Sequence, residues 1–149
     1  MFKSLFGAKK DSTCVMSRLV KSNHIAEKAY RRAADIVKDD DLKQKFLRLA
    51  DQRALFATDL SSQIRHLGGE PPVGGPFLAE ALLPLRMTYL KWRGGDAPRM
   101  IAAAVSGEDC AMKAYTRALE SKELKGEARE LVQRQMSGIR KAHNAMRQL

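Results

Sequence analysis

Apolar residues recur along this chain in alternating steps of three and four, the spacing that places side chains on one face of an α-helix. Between Cys14 and Lys38 the stripe reads Val15, Leu19, Ser22, Ala26, Ala29, Ala33 and Ile36. Asp11, Ser12 and Thr13 offer N-caps, and the acidic run Asp39, Asp40, Asp41 ends this helix and opens the next. Asp41 and Gln44 have the spacing of a capping box. A second stripe, Phe46, Leu49, Arg53, Phe56, Leu60, Gln63 and Leu67, predicts a helix from about Asp40 to Leu67. Gly68 and Gly69 stop it, and Pro71, Pro72, Gly74, Gly75 and Pro76 form the one long breaker run.

Beyond the breakers, Leu78, Leu82, Leu85, Tyr89 and Trp92 make a shorter stripe, with Pro84 set to kink or split it. Gly94 and Gly95 close that segment. Asp96 then caps a helix with Pro98 in its first turn and the stripe Ile101, Val105, Glu108, Met112, Tyr115, Leu119. A last helix, from about Lys125 to Gln148, carries Ala128, Val132, Gln135, Ile139, Ala142, Met146 and Leu149. No stretch alternates with the period of two that a strand needs. The layout predicts an all-α, up-down four-helix bundle: two hairpins joined by a helical crossover long enough to recross the bundle. Residues 1–11 are expected as a flexible basic tail and residues 12–149 as a single bundle domain.

The hexamer KAYRRA at Lys28–Ala33 returns as KAYTRA at Lys113–Ala118, each in the first helix of its hairpin. Aligned on these hexamers, Asn23 corresponds to Glu108 and Glu27 to Met112, so a duplicated hairpin is supported more by layout than by identity.

Each main stripe is broken by a polar residue near its midpoint: Ser22 with Asn23 and Glu27 beside it, Arg53 with Gln52, Glu108, and Gln135. Hairpins folded near residues 39 and 122 bring these to similar heights. An inward carboxylate is costly unless paired or coordinated. A central polar layer of Ser22, Asn23, Gln52, Arg53, Glu108 and Gln135 is therefore the candidate site, with hydrogen bonding that sets helix register as its expected role. An amide at position 108 should keep most of those bonds. Arg53, Gln52, Gln135 or a tyrosine hydroxyl are the nearest donors to Glu108 by height; Tyr30 and Tyr115 otherwise read as core packing, and His24 and His66 as surface residues.

Composition changes this picture little. The 149 residues carry 27 Lys and Arg against 17 Asp and Glu, a net charge of +10 with no block of five like charges. That favours weak, unspecific attraction to nucleic acid or an anionic membrane surface and names no specific partner. Cys14 and Cys110 are the only cysteines, with no C-x-x-C, so reduced thiols in the cytoplasm are expected. The N-terminal MFKSLFGAKK has too short an apolar run for a signal peptide or a membrane span. Asp109 beside Cys110 disfavours a thiolate, and no Gly-rich phosphate loop or G-x-S-x-G elbow occurs.

Several runs together resemble a bacterial family of ferritin-like four-helix-bundle proteins that has no assigned function. They are AYRRAA, DQRALFATDL, HLGGEPP, GEDCAMKAYTRAL and QMSGIRKAHNAMR, and the resemblance extends from about Val15 to Leu149. It implies the ferritin-like fold and raises the question of ferritin chemistry. A di-iron carboxylate site takes a Glu from each of two helices and a Glu-x-x-His pair from each of the other two. Glu27 and Glu108 can serve as the single glutamates, but the chain contains no Glu-x-x-His, and Arg140 stands three before His143. No cofactor is expected on this count. Glu27, Glu108 and His143 are the residues that a single iron or other divalent cation would use.

The sequence therefore reads as a non-catalytic helical bundle with a structural or interaction role, through self-association or a protein partner not identifiable from sequence. The alternatives are a metal-binding or redox protein using the mid-bundle carboxylates, and an electrostatic binder of nucleic acid or anionic membrane.

Overall fold

The computed structural model describes residues 2–72 and 96–149, with side chains from Ser12 onward. Its four helices are α1 (Phe2–Ile36), α2 (Asp40–His66), α3 (Ala97–Glu120) and α4 (Gly126–Arg147). The crossover helix expected at Leu78–Trp92 lies outside the described residues.

Helix ends follow local chemistry. The Asp39 carboxylate caps α2 by accepting the Leu42 N–H at 2.7 Å, so the cap stands two residues before the expected Asp41. At the other end Gly68, at φ 85°, takes the left-handed turn that other residues avoid. The Gly68 and Gly69 amides then return to the carbonyls of Arg65 and Ile64, both at 2.9 Å, closing a Schellman motif. Asp96 caps α3 through the Arg99 N–H at 3.1 Å.

The N-terminus differs from expectation. Helix α1 runs without a break through Asp11, Ser12 and Thr13 to Phe2, where a flexible tail was predicted. A capping side chain begins a helix only where the preceding residues leave it, and residues 2–10 hold no proline. The Ser12 hydroxyl instead donates to the Glu123 carbonyl, in the turn between α3 and α4.

Each hairpin packs along its length, and contacts of α1 with α3 and of α2 with α4 close the bundle. Tyr30 meets Glu108 and Asn23 meets Tyr115, so α1 and α3 run antiparallel. Helices α2 and α3 therefore run the same way, as a connection that recrosses the bundle requires.

The buried stripes are rotated by about one residue from those the bulky apolar residues suggest. The innermost positions include Ala50 and Ala57 on α2 and Ala104, Ala111 and Ala118 on α3, while Leu49, Phe56, Ile101, Met112 and Leu119 flank them half-buried. Small side chains let helix axes approach, and the larger ones fill the seams. On α1, Met16, Leu19, Val20 and Asn23 are buried where Val15 and Ser22 were expected. On α4 the stripe falls as expected through Met146, but Leu149 is 52% exposed.

The core divides into two apolar clusters. One is built around Met16, Leu60, Val132 and Ile139. The other, at the opposite end, is built around Ala33, Phe46, Met100 and Met146. The polar layer lies between them. Among the described residues, no helix is long and apolar enough to cross a membrane.

Candidate functional site

Glu108 faces inward from the middle of α3 and is completely buried. Its two carboxylate oxygens are both taken. Oε1 accepts from the Tyr30 hydroxyl of α1, and Oε2 accepts from Nη2 of Arg53, which is itself 1% exposed and reaches across the bundle from α2. The Arg53 guanidinium also lies over the Phe56 ring, 5.9 Å from its centroid. Tyr30 is braced by stacking on Phe46 at 6.0 Å.

A second set of bonds sits beside this one, toward the N-terminus of α1. Asn23 Nδ2 donates to the Tyr115 hydroxyl at 2.7 Å and to the Leu19 carbonyl at 2.8 Å. The Tyr115 hydroxyl donates a hydrogen bond to Gln135 Oε1 at 2.8 Å, and Gln135 Nε2 donates to the Phe56 carbonyl at 3.1 Å. The chain of bonds thus touches all four helices.

Both tyrosines are held in their neutral form. Burial, reinforced by the Glu108 charge and hydrogen bond, pushes the Tyr30 hydroxyl well above its ordinary value. Burial likewise raises Tyr115 to about 12, against the opposing bond from Asn23 and the charge of Arg53. A protonated Tyr30 is the form that can donate to a carboxylate.

Asn23, Arg53, Glu108 and Gln135 are brought together as expected, in two linked groups. Ser22 is only partly buried, and the neighbouring Asn23 makes the layer's bonds from that turn of α1. Gln52 is adjacent, but its buried Oε1 has no partner, and the same is true of Arg53 Nε. Sequence reasoning read the two tyrosines as core packing and a tyrosine hydroxyl as one of several possible donors to Glu108, and both hydroxyls prove to be central members. The hexamer repeat carried the signal. Asn23 and Glu108 each stand seven residues before a repeat tyrosine, and in antiparallel helices the tyrosine of one repeat meets the polar residue of the other.

The candidate metal ligands do not converge. Glu27 faces the α1–α2 seam, 3.1 Å from Arg31 and 3.7 Å from His24 Nδ1, and Arg31 continues to Asp51 at 3.2 Å. His143 is buried, with Nε2 2.7 Å from Asp109 Oδ1, a close contact not aligned as a hydrogen bond. Among the described residues no three His, Cys, Asp or Glu side chains form a group able to hold a metal ion. Nor do the described residues of the centre suit a di-iron site: the one carboxylate among them is bonded on both oxygens, and a guanidinium stands against it where a metal would need further anionic ligands.

Comparison with solved structures gives the fold. A dodecameric thioferritin from Bacteroides fragilis, a bacterioferritin-related protein, superposes with a TM-score of 0.75 at 15% identity, covering 98% of this chain and 89% of its own. A Dps protein from Vibrio cholerae O1, a member of a broad superfamily of ferritin-like diiron-carboxylate proteins, superposes with a TM-score of 0.73 at 14% identity, covering 95% and 89%. The bundle is ferritin-like. No protein of curated function matches the chain. By the match of residues 11–121, the chain belongs to the family described as a domain of unknown function, DUF2383.

Proposed function

We propose that this DUF2383 member is a non-catalytic, cytoplasmic bundle with a structural or interaction role, working as a single domain over residues 12–149. In this reading an internal cation, the Arg53 guanidinium, takes the place of a metal at mid-bundle. The observation that carries the reading is the saturation of Glu108 by Tyr30 and Arg53. A carboxylate already neutralised and bonded on both oxygens offers a metal little, and binding there would first have to expel a buried guanidinium. Exposed, unpaired Cys14 and Cys110 suit a reducing compartment.

The test is metal content after expression in iron-supplemented medium, joined to thermal unfolding with and without ferrous iron under anaerobic conditions. Iron well below one per chain and an unchanged midpoint are expected. Stoichiometric iron, with a raised midpoint that disappears in Glu108→Ala, would establish the metal-binding or redox reading instead.

A further inference from the structure

We propose that the outer face of α2, together with the groove between α2 and α4, forms a two-fold self-pairing surface in which Leu55 of each copy fills the groove of the other. The pairing rests on the interaction role proposed above and gives it a specific partner, a second copy of this chain.

The argument begins from two exposed side chains. Among the described residues the exposed large hydrophobics are Leu55, 57% exposed, and Leu149, 52% exposed. Leu55 points straight out from α2, opposite its buried face of Phe46, Arg53, Ala57 and Leu60. Leu149 belongs to a concavity. Helices α2 and α4 touch closely at mid-length, where a Cβ on Gly138 would stand 3.0 Å from Phe56 Cζ. Toward the C-terminal end of α4 they leave a groove of about 230 Å³, whose apolar walls include Leu49, Ala145, Met146 and Leu149 and whose charged lining is Lys45 and Arg48.

Size and charge point to the occupant. The volume lies below the roughly 300–1,000 Å³ of pockets that enclose a whole small ligand. It suits a single aliphatic side chain, and the groove's charge calls for an acidic neighbour to that side chain. Leu55 has Asp59 one turn on. Lys45, Arg48 and Asp59 make no side-chain hydrogen bond or ion pair among the described residues, whereas Asp51, one turn before Leu55, is engaged by Arg31 at 3.2 Å. When two α2 helices cross antiparallel with Leu49 against the partner's Leu55, Lys45 comes opposite the partner's Asp59. The two-fold operation repeats both contacts, as an isologous interface requires.

Sedimentation equilibrium of the full chain over a concentration series tests this. A monomer–dimer equilibrium is expected, weakened at least about tenfold, or about 1.4 kcal/mol, by each of Leu55→Glu, Lys45→Glu and Asp59→Lys. These positions are outside the core, and circular dichroism checks that the helices are intact. Mixing Lys45→Glu with Asp59→Lys should restore pairing as a heterodimer, since each copy then meets an opposite charge at both contacts. A chain that stays monomeric throughout, or a dimer indifferent to Leu55→Glu, overturns the proposal. A monomer whose groove takes up oleate, blocked by Ala145→Trp, assigns the groove to an amphiphile and overturns it equally. The metal-free reading is judged separately, by iron at Glu108, and does not move with the sedimentation result.

Discussion

Replacing Glu108 by Gln is the most informative single change, because sequence and structure forecast opposite outcomes. From the sequence, an amide preserves most hydrogen bonds and costs little. In the structure, Glu108 receives a proton donor on each oxygen, one of them a fully buried cation. Glutamine has one acceptor oxygen, so its NH2 must face either the Tyr30 hydroxyl or the Arg53 guanidinium. The Arg53 charge also loses its counter-ion. Breaking a buried pair from one side costs about 3–5 kcal/mol. For a chain of this size each kcal/mol lowers the melting temperature by roughly 2–4 °C, so a fall of roughly 6–20 °C is expected. Arg53→Met should cost a similar amount by stranding Glu108. The double variant, Arg53→Met with Glu108→Gln, removes both charges and should be more stable than either single. Urea and thermal unfolding of the parent and the three variants measure the cycle. A Glu108→Gln loss below about 1 kcal/mol, or a double variant whose loss is the simple addition of the two singles, would refute the claim that this pair is energetically coupled.

The other expectations are narrower. Tyr30 and Tyr115 have hydroxyls raised in the folded state, Tyr115 to about 12, so the stability they confer is complete below pH 10 and falls as pH climbs from 10 toward 12. Ultraviolet titration should show their ionisation only as helix is lost, and Tyr115→Phe should flatten the alkaline fall by roughly 2–3 kcal/mol. Gly68→Ala forces a left-handed backbone onto an L side chain and should cost about 1 kcal/mol in denaturant unfolding, whereas Gly107→Ala, where a Cβ meets nothing, should stabilise slightly. Any DNA retention should be independent of sequence and confined to low salt, as dispersed lysines and arginines without a base-reading motif imply; sequence-specific retention at physiological salt would contradict this.

The periodicity of three and four was enough to place four helices and two hairpins, because a wrong register would have left Leu60, Val132 and Ile139 in water. It was not enough to fix which edge of each stripe points inward. Hydrophobicity weights Leu49 and Phe56 above Ala50 and Ala57, whereas close helix contact selects the alanines for the centre and leaves the bulky residues to seal the seams. On α1 the stripe is also one residue off: Ser22 was set on it with Asn23 beside it, and Asn23 is the one that faces the layer. The start of α1 was hidden for another reason: Asp11, Ser12 and Thr13 are equally good caps, yet residues 2–10 hold no proline and the helix continues through them.

At the site, Glu108 and Arg53 were legible because charged residues on an apolar stripe must find each other or pull the helix apart. Their tyrosine partners were legible only in part: a tyrosine hydroxyl was one candidate donor among several, and which tyrosine reaches Glu108 is open until the helix opposite is known. The repeated hexamer holds the missing step. Tyr30 belongs to KAYRRA and Tyr115 to KAYTRA, and each reaches the residue seven places before the other: Tyr30 to Glu108, and Tyr115 to Asn23. Two turns of helix separate the tyrosine from the polar residue within each repeat, and the antiparallel crossing of α1 and α3 brings each tyrosine to the other repeat's polar residue. The two halves share this geometry and differ in charge. The Glu108 half requires a cation and has Arg53; the Asn23 half is neutral and closes through Gln135. A metal would need anionic ligands on both halves, whereas this layer has a neutral amide at Asn23 and a guanidinium at Arg53. Each makes the other tolerable in a buried layer that excludes unbalanced charge.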